Sequence, residues 1–436
     1  MRLLDTNTRY FDQDSFDKPV FTNNWGSMIE AFDAVLTDGG SPKEVLNLSF
    51  SELENYWEVV LIVNTGHGFK ENLSVIEIKN CSELIFNGLH RVQEITSDSF
   101  KILVHKSDNN TPTQVLSTLG MTVNLAPLGF EKIFEESFKR VYKTHNPLGK
   151  EVYLRIDNSC PPNYDPSFSK FSRVSMYSDI ESIDDVDFKV GRYKAPAKTN
   201  YLSVEEDRSD VWLGVRNSAS ASEFQVKNSS YILNVEEFFI LGDSKTFYFY
   251  IKDVLPNNTS YIGDCLYTFG EYTKLMYKED PYPFLITTSE KYDENLYLRH
   301  NQPGAYFWQN SFKAKYLFNT EINYNFTKNR SDSWNFWLNE TYTSSIRTLI
   351  DFKPYKNELV FNLFEKLILT ARPEGTFLEG KLRGITDIMA NLTDTPEIAP
   401  EHGEIIESDT LYLITKVRSY HLEQQLKYAF KLSDWG

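Results

Sequence analysis

The sequence predicts a mainly β protein with minor α, in which a small β-sandwich or barrel module is followed by a large β-rich body. Three observations predict it. Aromatic residues make up 15% of the 436 residues, with 31 Phe, 26 Tyr and 7 Trp, and such side chains suit pleated, half-buried surfaces. Apolar residues recur mostly as short alternating runs of four to seven residues, the period of a strand. Gly-, Pro- and Asn-containing segments separate these runs, such as Cys160-Pro-Pro-Asn163 and Leu255-Pro-Asn-Asn258, and segments of this kind mark turns.

The elements follow in chain order. Residues 1–22 read as a charged arm with aromatics at Tyr10, Phe11, Phe16 and Phe21, where Pro19 discourages regular structure. Docking onto a neighbour and packing on its own domain are equal expectations for it. The one clear amphipathic helix follows. Trp25, Met28, Ile29, Phe32, Val35 and Leu36 fall at helical spacing. Asn24 or Ser27 is placed to cap it, Ser27 and Glu30 form a capping box, and Gly39-Gly40 stops it. The arm and helix together make a first unit, 1–52.

From Tyr56 the period becomes strand-like. Trp57–Val63 is an apolar run followed by the turn Asn64-Thr-Gly-His-Gly68. Val75–Ile78 and Phe100–Val104 alternate, and Phe86–Val92 contains an Asn-Gly turn signal. Four or five short strands with a turn every ten residues or so define a module at 53–125. The remaining body, 126–436, keeps the strand character at 152–156, 231–233, 238–241, 246–251 and 411–414. Its division into one domain or two is open. The stretches 131–142 and 358–371 have spacings that also suit a helix, and the second reads better as strand.

Net charge is −16, from 45 basic and 61 acidic residues. Nucleic-acid affinity comes from neutralising phosphates with Lys and Arg, so no nucleic-acid partner is expected. No run of about 18 apolar residues occurs, so no membrane insertion is expected, and the first eleven residues offer no apolar stretch suited to a signal peptide. Cys81, Cys160 and Cys265 are odd in number and widely spaced, which suits neither a disulfide framework nor a zinc site.

Motifs of catalysis are missing. There is no Gly-x-Ser-x-Gly elbow and no His-Glu-x-x-His pair, and no phosphate-cradling Gly-x-x-x-x-Gly-Lys loop is expected. The seven histidines are scattered, and His67 between Gly66 and Gly68 reads as a turn histidine beside a strand. Glycosidases need two facing carboxylates, but Glu135-Glu136, Asp184-Asp185 with Asp187, and Glu205-Glu206-Asp207 are mostly adjacent pairs. Neighbours on a strand point to opposite faces, so these read as solvated edges. The Asp179–Asp187 stretch lacks an ordered calcium loop. The expectation is a soluble, non-enzymatic protein with no catalytic residues, no cofactor and no metal. Binding candidates are the aromatics Tyr306, Trp308, Trp334 and Trp337, which sit among Asn, Gln and Ser, a setting that suits sugars or partner side chains. Packing in a core is the competing account for each.

One set of segments resembles a known family. The order is Met28–Gly39, then 63–69 (VNTGHGF) and 86–92 (FNGLHRV), then 126–134 (APLGFEKIF) and 153–157 (YLRID). A fainter echo lies in 377–385 (FLEGKLRGI) and the terminal 432–436 (LSDWG). In this order the chain resembles virion proteins of tailed bacteriophages over 25–160, plus the terminal segments. The resemblance implies assembly into the virion tail and supplies no catalytic residues. The length, the strand-rich body and the lack of a fibre-like repeat look similar to the non-contractile tail sheath of schitovirus-type podophages. There a ring of subunits surrounds a short tail tube and can contact the host receptor. Its implied partners are therefore sister copies in a cyclic homo-oligomer, the tail tube and a host surface receptor, and its implied location is the virion tail. The Asn- and Tyr-rich middle departs from the Ala- and Gly-rich composition of many members. The alternative reading is a receptor- or carbohydrate-binding tail-tip protein, with or without glycan depolymerase activity. A third is a cytoplasmic β-rich protein of unrelated function.

Overall fold

The computed structural model describes residues 4–145 apart from 19, 23, 107–110 and 113–116, then 152–160, 171–177 and 180–184. Beyond these it describes 237–252, 402–407, 410–418 and 425–435, and isolated strands between 210 and 387. The chain is mainly β with one short α-helix, as its composition predicts.

The arm forms strand β1 (Arg9–Asp12) and packs on its own chain, antiparallel to the strand Phe238–Gly242. Phe11 and Phe21 are completely buried there. Phe21 stacks on Phe249 at 4.9 Å and meets Phe238 edge-on at 4.6 Å.

The helix α1 (Ser27–Asp33) continues as a single π-turn over Ala34–Asp38 and ends at Gly39. Met28, Ile29, Phe32, Val35 and Leu36 are buried on the predicted face. Its N-terminus is capped differently from the expectation. Gly26 occupies the cap position with φ 93°, and no side chain of the helix segment caps it. Ser27 Oγ instead donates to the Thr22 carbonyl. The acceptor is remote: Asn158 Oδ1 takes the N–H of Gly26 at 2.7 Å and that of Met28 at 3.4 Å. Gly26 is needed because the Phe138 ring lies where a Cβ would stand.

Seven strands then form the barrel module. They are β2 (Lys43–Glu44), β3 (Asn47–Glu52), β4 (Tyr56–Ile62), β5 (Val75–Lys79), β6 (Gly88–Ile95), β7 (Ser99–His105) and β8 (Thr122–Leu125). The sheet order is β2-β8-β5-β6-β7-β4-β3. Its two edges are halves of one bent segment: Val45 N–H donates to Met121 beside β8, and Leu46 N–H donates to Ile62 at the end of β4. That switch closes the sheet on itself and removes its free edges. The closing segment starts at Lys43, ahead of residue 53. The strand β6 bends in the same way. Its first half pairs with β5, its second half with β7, and a register shift falls between Val92 and Glu94. Strict alternation in β4 sends Trp57, Val59 and Leu61 inward. Each such side chain contributes about 1.5–3 kcal/mol of transfer free energy.

The Asn87-Gly88 pair is not a hairpin turn. It ends a 3-10 turn at Leu84–Phe86 and begins β6, while Asn87 exchanges two hydrogen bonds with the Cys81 backbone. A side-chain-satisfied corner competed with the hairpin geometry and won.

After the barrel, β9 (Glu131–Glu136), β10 (Lys139–Lys143), β11 (Tyr153–Asp157) and β12 (Phe171–Tyr177) pair in sequence. They lie in a 14-stranded sheet with the strands Phe238–Gly242, Phe247–Ile251, Cys265–Lys274 and Tyr282–Ser289. The stretch 131–142 is thus a hairpin, and 358–371 holds the strands Glu358–Asn362 and Ile368–Ala371. A four-stranded sheet includes Leu411–Arg418 and Gln425–Lys431 near the C-terminus. One apolar cluster runs through the arm, helix, barrel and large sheet, from Phe11 and Phe32 through Val59 and Ile102 to Phe249 and Phe269. Among the described residues no helix is long and apolar enough to cross a membrane.

Asn158→Ala should remove the remote cap, leave two buried N–H groups without their acceptor and cost about 1–2 kcal/mol in urea unfolding. Ser27→Ala, at the position the sequence favours, should change the unfolding midpoint little.

Candidate functional site

The predicted binding aromatics Tyr306, Trp308, Trp334 and Trp337 lie outside the described residues, as do Glu205–Asp207 and, within the 179–187 stretch, residues 179 and 185–187. His67 is built into the barrel: its Nδ1 accepts the Phe69 N–H at 3.0 Å, so its Nε2 carries the proton that is donated to the Thr96 carbonyl at 3.0 Å. Burial pushes its pKa down, which suits a neutral structural ring. Glu135 faces Lys132 and Arg140, and Asp184 pairs with Lys139 at 2.5 Å. The Gly375-x-x-x-x-Gly380-Lys381 spacing continues with Leu382, and its second half lies in the strand Leu378–Leu382, which is no phosphate loop. Among the described residues no three His, Cys, Asp or Glu side chains stand where they could hold a metal ion.

What the fold does bring together is the two ends of the chain. The Arg91 guanidinium, on β6 and 2% exposed, uses all five of its N–H donors on backbone carbonyls. Nε bonds Asp5, Nη1 bonds Asn72 and Leu73, and Nη2 bonds Thr8 and Leu432. Burial pulls its pKa down to about 10, with Asp5 opposing and Arg9 adding to that effect. Beside it, Thr8 Oγ1 donates to the Ser433 carbonyl at 2.8 Å.

A second buried junction lies where Arg383 meets the turn after the strand Phe238–Gly242. Arg383 grips Asp243 through two bonds of 3.1 and 2.7 Å and also reaches Thr246 Oγ1. Tyr248 donates its hydroxyl to the Arg383 carbonyl. The next residue, Gly384, has φ +68° and lies so close to Trp435 that a Cβ would fall inside the indole. Trp435 is in turn held by its Nε1–H on the Lys431 carbonyl. The segments 377–385 and 432–436 therefore touch.

Nearer the surface, Glu237 bonds His402 Nε2 at 2.8 Å and also pairs with Lys252. The His402 hydrogen bond, against some burial and with help from Lys252, holds the Glu237 carboxyl down at about 2. On the neighbouring strand Tyr10 stacks on Phe239 and points its hydroxyl at Asp12, 3.4 Å away. Burial raises the Asp12 pKa, although Lys70 pulls the other way. A carboxylate held ionised far below neutrality joins segments; it is poorly suited to proton exchange near pH 7. A further cluster closes the helix end of the fold. Asp157 lies between Arg173 and Arg155 at 2.7 and 3.3 Å, and these cations with Ser159 outweigh burial and keep its pKa low. Asp33 accepts from Tyr142 and Arg140 and faces Lys132.

The sequence reading passed over Arg91, Asn158, Asp243, Arg383 and Trp435 as site residues. Arg91, Arg383 and Trp435 stand inside the sequence segments 86–92, 377–385 and 432–436, whose residue pattern attaches no role to them.

The fold defines a mainly β protein whose described polar clusters join distant segments of chain. No protein-family model, curated protein or solved structure matches it.

Two outcomes follow from this geometry. Gly384→Ala should cost about 1–3 kcal/mol in thermal or urea unfolding, from positive φ and the collision with Trp435. Glu237→Gln should lower stability at pH 7, where the wild-type carboxylate is ionised. Because the folded pKa lies below the unfolded one, that difference is full above about pH 4.5 and shrinks as pH falls towards 2. Parallel unfolding curves from pH 2.5 to 7 check it.

Proposed function

We propose that this chain is a non-enzymatic structural component of a bacteriophage tail, which packs onto the tail tube as an oligomeric, sheath-like ring. One observation carries this reading. In the segments that resemble phage virion proteins, side chains join parts of the chain: Arg91 joins the arm, the barrel and Leu432 just past the last strand, Arg383 holds Asp243, and Trp435 packs on Gly384 to bring the last two segments together. Asn158, directly after the fifth segment, caps the helix that forms the first. Side chains committed in this way favour a body that acts through shape over one that acts through chemistry. Closed rings use heterologous contacts, in which two different faces of each subunit meet. Outward-facing leucines such as Leu84 and Leu119, 82% and 88% exposed, support a body with partners.

Mass spectrometry of purified virions, followed by localisation of the chain on the particle, tests the proposal. The expected result is presence in stoichiometric copies around the tail tube. Absence from mature virions, or an isolated protein that stays monomeric and never joins purified tails, overturns it. Trp308→Ala and Trp334→Ala should leave particle assembly unchanged. Lost adsorption with intact particles would instead favour a receptor- or sugar-binding role.

A further inference from the structure

We propose that Arg91 is a latch that couples the two ends of the chain, so that loosening either end loosens the other. Its donors hold the Asp5 and Thr8 carbonyls of the arm and the Leu432 carbonyl, just past the C-terminal strand, at the same time. The remaining two donors are bound to Asn72 and Leu73 in the barrel.

A guanidinium is one planar fork, and its five donors turn together. Nη2 bonds the arm at Thr8 and the C-terminal strand at Leu432, so a rotation that followed one carbonyl would break its bond to the other. All five hydrogen-bond acceptors are neutral carbonyls. The Asp5 carboxylate acts on Arg91 only through its field, while its Oδ1 accepts the Asn7 N–H. Departure of the arm would strip Nε and half of Nη2 of their partners on a group that is 2% exposed. A charged donor left unpaired in such a place draws in water or moves towards it. Either response disturbs Leu432, which shares Nη2 with Thr8. The same reasoning runs from the C-terminus to the arm, as linkage requires.

Other contacts also join the ends. Thr8 Oγ1 donates to the Ser433 carbonyl, and Phe239 lies between Tyr10 and Phe430, with centroids 5.8 and 5.7 Å away. The test must separate the latch from these. The coupling belongs to the chain itself and does not rest on the virion reading.

Hydrogen exchange on the full chain reads it out. Phe11→Ala perturbs the arm and Trp435→Ala perturbs the C-terminal end, with the amides of Val59–Leu61 reporting any global unfolding. With Arg91 present, Phe11→Ala should speed exchange at Ala429–Leu432 about tenfold, and Trp435→Ala should do the same at Arg9–Asp12. Combined with Arg91→Met, both cross-effects should fall below about twofold. If they persist with Arg91→Met, the aromatic stack carries the coupling and the latch is overturned. Absence of any cross-effect in the Arg91 protein overturns it as well. Should Arg91→Met fail to fold, Arg91→Lys serves: its three donors cannot span arm, barrel and C-terminal strand together, so the cross-effects should still weaken, and unchanged ones count against the proposal.

Discussion

The constraint on which the rest depends is the need to satisfy one buried cation. A desolvated guanidinium is tolerated only with its donors bonded, and here the acceptors come from three separate segments. Arg91 therefore draws together carbonyls from residues 5, 8, 72, 73 and 432. That requirement places the arm against the barrel and the last strand against the arm. With the arm in place, β1 pairs with Phe238–Gly242, and Phe11 and Phe21 complete a core shared by barrel and large sheet.

The same logic recurs at smaller scale. Asp243 and Arg383 neutralise each other across 140 residues, and Asp157 is neutralised by Arg155 of its own strand and Arg173 opposite it on β12. Asn158 satisfies a helix start 132 residues earlier in the chain. Clusters of this kind contribute modest net stability, because desolvation offsets much of their attraction. Their larger effect is to exclude alternatives: a strand slipped by one residue would bury these groups without partners. Apolar packing supplies the driving force, and the polar clusters select the arrangement.

The aromatic surplus finds a physical account within the described residues. Phe21, Phe32, Phe238, Phe247 and Phe249 form a contiguous set of stacked and edge-on rings between arm, helix and sheet. Tyr142, Tyr177, Tyr248, Tyr250 and Tyr267 are among the largest fully buried side chains. Tyr142 and Tyr248 show how such rings are admitted to a core, each sending its hydroxyl to an acceptor, Asp33 and the Arg383 carbonyl respectively.

Local rules acting over a few residues were legible in the sequence. The alternation of Trp57, Val59 and Leu61, the helical spacing of Met28 to Leu36 and the stop at Gly39 each depend on near neighbours, and each appears in the structure where the pattern puts it. The structural part of His67 was equally plain, since a histidine between two glycines beside a strand has backbone groups within reach. The barrel's closure was not legible, because it depends on one segment, Lys43–Glu52, passing between two strands far apart in sequence. The helix cap was misplaced for the same reason: Ser27 fits the local signature, yet Asn158 arrives from β11 and wins. Arg91 stood in view within a quoted motif, but an arginine in a strand reads as a surface residue until its surroundings exist. The sequence by itself determined the elements and their apolar faces, because those follow from side-chain period. Only the tertiary structure decided which charges are buried and what satisfies them, because burial and hydrogen bonding are properties of segments brought together, not of any one segment.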